Sequence, residues 1–100
     1  MKIIIKNSGD ETVIRFIGRL DTRNAVTAND EIQPILNSEM KNIVIECSEL
    51  SYVSSAGLRI FLNLQSSANE KQGKLIIRNL FPDIKQVFEL TGFSSLFNFE

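Results

Sequence analysis

The sequence predicts an α/β protein in which a mixed β-sheet of four to five strands packs against three to four helices. Three observations point there. The first twenty residues hold two short apolar runs split by turn residues. Strand-like and helix-like periodicities then alternate to residue 92, and glycine, proline or cap-forming side chains stand at the boundaries. One hundred residues are the size of one domain, and residues 1–100 are assigned to a single one. A chain of this length buries roughly 60–70% of the surface it exposes when unfolded, enough for one core without metals or disulfides.

The elements follow in order. Lys2 to Lys6 brackets three isoleucines, and Asn7-Ser8-Gly9-Asp10 reads as a turn. Thr12 to Leu20 is the second strand and completes a hairpin, with Gly18 marking a bulge or a close backbone approach. From Asp21-Thr22 onward the period becomes helical, with Ala25, Ala28, Ile32 and Leu36 on one face and either Asp21 or Thr22 as cap; Pro34 predicts a kink or an early loosening. Asn42 to Cys47 is an apolar run of strand length, expected at the centre of the sheet and covered on both faces.

A second helix carries Leu58, Phe61, Leu62 and Ala68 on its inner face, Ile60 and Leu64 on the shoulder, and Gly73 as its C-terminal cap. Lys74 to Arg78 is a further strand. Pro82 opens a third helix as a first-turn proline, with Ile84, Val87 and Phe88 inward, and Gly92 stops it. Leu96, Phe97 and Phe99 make the tail apolar enough to dock on the body. The order is ββαβαβα plus tail, and its strand–helix alternation implies crossover units and a partly parallel sheet.

Composition excludes several functions. There is no histidine, which removes His-dependent triads, His-ligated metal sites and histidine phosphotransfer. No metal-ligand cluster or phosphate-binding glycine loop is present, so neither a cofactor nor an enzymatic activity is expected. The single cysteine, Cys47, ends an apolar run without a basic neighbour and reads as a small core residue. Eleven basic and twelve acidic residues are mixed along the chain for a net charge of −1, unlike the basic footprint of a nucleic-acid binder. No stretch has the length and apolarity of a signal peptide or membrane span, and the expected location is the cytoplasm.

The stretch Tyr52-Val53-Ser54-Ser55-Ala56-Gly57-Leu58 joins a buried strand to an amphipathic helix. A serine at such a junction accepts a hydrogen bond from the unpaired N–H groups of the first turn, and a glycine there lets the backbone turn tightly. Asp21 occupies the equivalent place before the first helix, and Arg59 lies about one turn into the second.

These residues give the chain a family resemblance from about residue 3 to its end. Gly18-Arg19-Leu20-Asp21 is similar to a Gly-x-Leu-Asp signature, and Ser54-Ser55-Ala56-Gly57-Leu58 is similar to an Asp-Ser-Ser/Thr-Gly-Leu signature. Both belong to STAS domains, the fold of sulfate transporter cytoplasmic domains and bacterial anti-sigma factor antagonists. The resemblance implies a STAS-like fold and a protein-interaction switch. The unphosphorylated protein binds an anti-sigma factor that is also a serine kinase, phosphorylation of Ser55 releases it, and a phosphatase restores it. The family's aspartate is Ser54 here and its second hydroxyl residue is Ala56, which leaves Ser55 as the acceptor and Ser54 as the rival. Asp21, Ser54, Ser55, Gly57 and Arg59 are the expected partner-binding residues, in a monomer or weak dimer. The other reading is a constitutive STAS subunit of a transport or signalling complex in which Ser55 is only a cap.

Overall fold

In the computed structural model, which describes residues 1–100, strands β1 (Lys2–Ser8) and β2 (Glu11–Leu20) form the expected antiparallel hairpin. Its two-residue turn, Gly9-Asp10, places Gly9 at φ 63°, where a turn of this length needs the left-handed region. The remaining elements are α1 (Thr22–Leu36), β3 (Asn42–Val53), α2 (Ser55–Glu70), β4 (Lys74–Arg78), α3 (Pro82–Leu90), a 3₁₀ turn (Ser94–Leu96) and β5 (Asn98–Phe99). The sheet runs β1-β2-β3-β4-β5 in chain order, with β2 to β5 mutually parallel. The expected mixed sheet thus has five strands, served by three α-helices.

A parallel sheet that always steps the same way, joined by right-handed crossovers, has all its helices on one face. Side-chain alternation agrees with that placement. Ile14, Phe16, Ile43, Ile45, Cys47, Leu75 and Ile77 are buried under the helices, whereas Ile4, Arg15, Glu46 and Arg78 form a row across the other face. The central strand is therefore not covered by helices on both faces. Val44, in register with Val13 and Ile76 on that other face, is nonetheless buried. Cys47 is buried, and burial, with the neighbouring Glu46 charge, pushes its thiol up to about 12. It is an inert core residue.

The helix faces need small revisions. In α1 the fourth buried position is Ile35, with Leu36 only half-buried, and the helix continues two residues past Pro34. In α2 Ile60 and Leu64 belong to the core and Leu62 is half-buried. Helix α2 ends in a Schellman motif, with Gln72 N–H donating to Asn69 and Gly73 N–H to Ala68, but the left-handed residue is Gln72 at φ 62°. Gly73 has another duty. A Cβ there would stand 1.9 Å from the Lys41 carbonyl oxygen, so only glycine admits the chain.

The tail docks by aromatic packing. Phe16, Phe61 and Phe88 form a chain of rings at 5.4 and 5.6 Å, and Phe97 and Phe99 meet Phe88 edge-on at 5.5 and 5.7 Å. The last residues also pair with β4 as a fifth strand. Leu96 stays half-exposed rather than docked.

Candidate functional site

Strands β2 and β3 pair in parallel to their C-terminal ends, where Leu20 lies opposite Val53. The Ser54 N–H donates to the Leu20 carbonyl at 2.9 Å, so α1 and α2 begin side by side. A bulge between Gly18 and Arg19, with Gly18 at φ 100°, adjusts the register just before this edge. The two sequence signatures are thereby brought to one corner.

Asp21 is the N-cap of α1. Its carboxylate accepts the Asn24 N–H at 3.0 Å, and the Asn24 side-chain oxygen accepts the Asp21 N–H at 3.0 Å, a reciprocal capping box. Ser54 is the N-cap of α2, its hydroxyl accepting the Gly57 N–H at 3.2 Å. Ser55 is the first helical residue and is exposed. Two adjacent serines therefore divide the work, Ser54 facing the helix and Ser55 facing solvent.

Gly57 is buried and its backbone is not left-handed. A Cβ at this position would lie 2.8 Å from Leu20 Cγ and 2.9 Å from Val53 Cγ2. Its service to the corner is thus close packing of α2 on the strand ends, not a tight turn. Arg59 is exposed and enters none of the chain's three ion pairs. It stands on the rim of an open groove of about 430 Å³ between α1 and α2, with Thr22, Val26, Asn29, Ala56 and Asn63.

Two features of this edge escaped the sequence reading. The Arg19 guanidinium lies 4.2 Å above the centre of the Tyr52 ring, a cation–π pair between register partners on β2 and β3. Sequence spacing gives no sign of a pair separated by a whole crossover. Val26 is 70% exposed in the groove. Its signal was available: an apolar side chain beside Ala25, off the buried stripe of α1.

The chain matches the STAS domain family over residues 2–100. It is 32% identical over 97 residues to BtrV of Bordetella bronchiseptica, named as an anti-sigma factor antagonist, covering 97% of this chain and 84% of that one. Two solved structures superpose closely. The anti-sigma factor antagonist SpoIIAA in its unphosphorylated form gives a TM-score of 0.82 at 20% identity, covering 99% of this chain and 88% of that one. The phosphorylated form of the Bacillus cell fate determinant SpoIIAA gives 0.76 at 20% identity, covering 99% and 91%. Sequence match and superposition agree with the sheet order, and the chain belongs to the STAS domain family.

Proposed function

We propose that this STAS protein is an anti-sigma factor antagonist whose docking corner is switched by phosphorylation of Ser55. Unmodified, it binds an anti-sigma factor that is also a serine kinase, and so frees the sigma factor. The kinase transfers the γ-phosphoryl group of ATP to Ser55 Oγ, ADP leaves, and the hydroxyl proton passes to the kinase. A phosphatase restores the docking form by hydrolysing the phosphoester. The chain is a binding module and a kinase substrate in the cytoplasm, not itself an enzyme. No helix is long and apolar enough to cross a membrane.

The observation that carries this reading is the exposure of Ser55 at the first position of α2 while Ser54 supplies the cap. A phosphate on Ser55 brings about −1.5 to −2 charges to a helix N-terminus, where the macrodipole and the free N–H groups tolerate it. The fold survives the modification because the capping hydroxyl is on the other serine. A partner seated on the same corner meets new bulk and charge. A change of about 3 kcal/mol in binding is more than a hundredfold in affinity.

Incubation of the protein with the anti-sigma factor kinase of its own genome and ATP tests the assignment. Labelling of wild type and Ser54→Ala, with none of Ser55→Ala, is expected. Undiminished labelling of Ser55→Ala removes Ser55 from the role. The occurrence of Ser54 where the family signature has aspartate favours a second reading, a constitutive STAS subunit. That reading is supported if the unmodified protein binds its partner and neither serine is ever labelled.

A further inference from the structure

Three arginines without an ion-pair partner stand at the edge where α1 and α2 begin. Arg19 lies at the end of β2, Arg23 in the first turn of α1 and Arg59 one turn into α2, and all three are exposed. Neither α1 nor α2 has an acidic residue in its first turn, where a carboxylate is ordinarily favoured. The Asp21 carboxylate at this edge is held by the Asn24 N–H, and Asp30 lies two turns further along the groove. An arginine in the first turn of a helix works against the macrodipole and so lowers stability. Arg23 therefore stands where it is unfavourable for folding but well placed to meet an anion.

We propose that the partner presents an acidic protein face to this corner, and that phosphorylation of Ser55 acts by giving Arg59 an anion of the chain's own. This rests on Ser55 being the modified residue. Ser55 and Arg59 are four residues apart on one helix face, with the anion N-terminal to the cation, the favoured order for such a pair. The Arg59 guanidinium has no ion partner to give up. Its planar fork suits two hydrogen bonds to a phosphate. An anion tethered one helical turn away competes at a high effective concentration with carboxylates arriving from another molecule. The modified corner thus loses Arg59 to its own phosphate at the moment it gains a dianion, and an acidic partner is disfavoured twice.

Protein with phosphoserine installed at position 55 by genetic encoding tests the internal contact without any kinase. In a ³¹P NMR titration, the second ionisation of that phosphate is expected a few tenths of a pH unit lower with Arg59 than in Arg59→Gln, with Arg59→Lys between them. Identical midpoints in wild type and Arg59→Gln overturn the proposal. For the unmodified protein and the anti-sigma factor kinase of the same genome, Arg19→Gln, Arg23→Gln and Arg59→Gln should each weaken binding severalfold, and rising salt should weaken it further. Binding insensitive to both overturns the acidic face, as does displacement of the kinase by a single-stranded oligonucleotide, which makes the occupant a nucleic acid. If the kinase labels a residue other than Ser55, the function assigned above fails, whereas the titration still reports on Arg59 alone.

Discussion

The Ser54 hydroxyl accepts the backbone N–H of Gly57 at 3.2 Å, and this one bond assigns opposite duties to two adjacent serines. Ser54→Ala leaves that N–H without its cap at the mouth of a well-packed helix and should cost about 1 kcal/mol. Ser55→Ala removes an exposed hydroxyl from a position where alanine is the better helix former, and stability should hold or rise slightly. Urea unfolding midpoints of the two variants check the difference. Ser54→Asp keeps an oxygen for the cap and should stay near wild type. Equal losses for the two alanine variants would mean that the cap lies elsewhere.

Gly57→Ala sets two effects against each other. Alanine gains about 1 kcal/mol over glycine in a helix interior. Its Cβ, however, would meet Leu20 Cγ at 2.8 Å and Val53 Cγ2 at 2.9 Å, and overpacking of this kind costs typically 1–3 kcal/mol. The clash wins, because neither atom is the loose end of a long side chain. Thermal unfolding should show a lower midpoint for Gly57→Ala, with α2 lifted slightly from the strand ends. A raised midpoint would show that Leu20 and Val53 give way.

The same corner indicates how far the sequence could be read. Apolar periodicity located every helix and the first four strands, because those elements are long enough for one face to be counted. It placed the Gly18 irregularity and both serines correctly at the edge, since turn and cap residues act over a few positions. It failed where the third dimension decides. Gly73 is needed for the approach of Lys41, not for a left-handed cap, and Gln72 takes the strained angle instead. Asn98 and Phe99 are too few to show a strand period, yet they extend the sheet. Ile43, Val44 and Ile45 read as a strand covered on both faces, and all three are buried, yet the apolar run could not show that the helices lie on one face only. Lys71 is one of eleven basic residues mixed along the chain, and nothing in the sequence sets it apart.

Lys71 in fact closes the end of another helix. Its ammonium donates to the carbonyls of Ile35 and Leu36, the last residues of α1, and of Met40, at 3.2, 3.3 and 3.3 Å. Helix α1 has no basic residue in its own last turn, and Pro34 weakens that turn further. A cation supplied from α2 both satisfies free carbonyls and offsets the negative end of the macrodipole. Lys71→Met, which keeps the apolar stem, should cost about 1.5–3 kcal/mol. Lys74→Met, exposed on β4, should cost far less. Hydrogen exchange read at the backbone amides of Ile35 to Asn37 should quicken selectively in Lys71→Met. Uniform loss across the chain would deny Lys71 its capping role.

Glu46 gives stability a dependence on pH with a definite sign. Partial burial pushes its carboxyl up, but the Asn79 amide at 3.0 and 3.3 Å, the Ser48 N–H at 3.1 Å, the Ser48 hydroxyl and the Arg78 guanidinium together hold it below its ordinary value of 4.5. A carboxyl depressed in the folded state binds protons more readily when unfolded, so its contribution is complete above 4.5 and is lost as pH falls through the lower folded value. Glu46→Gln keeps the shape but not the charge. The stability difference between wild type and Glu46→Gln should be largest near neutral pH, begin to shrink below 4.5 and fade in more acidic solution. Urea unfolding of both proteins across that range measures it. A difference that stays constant with pH would show that the outer row of Arg15, Glu46 and Arg78 owes nothing to the ionised carboxylate.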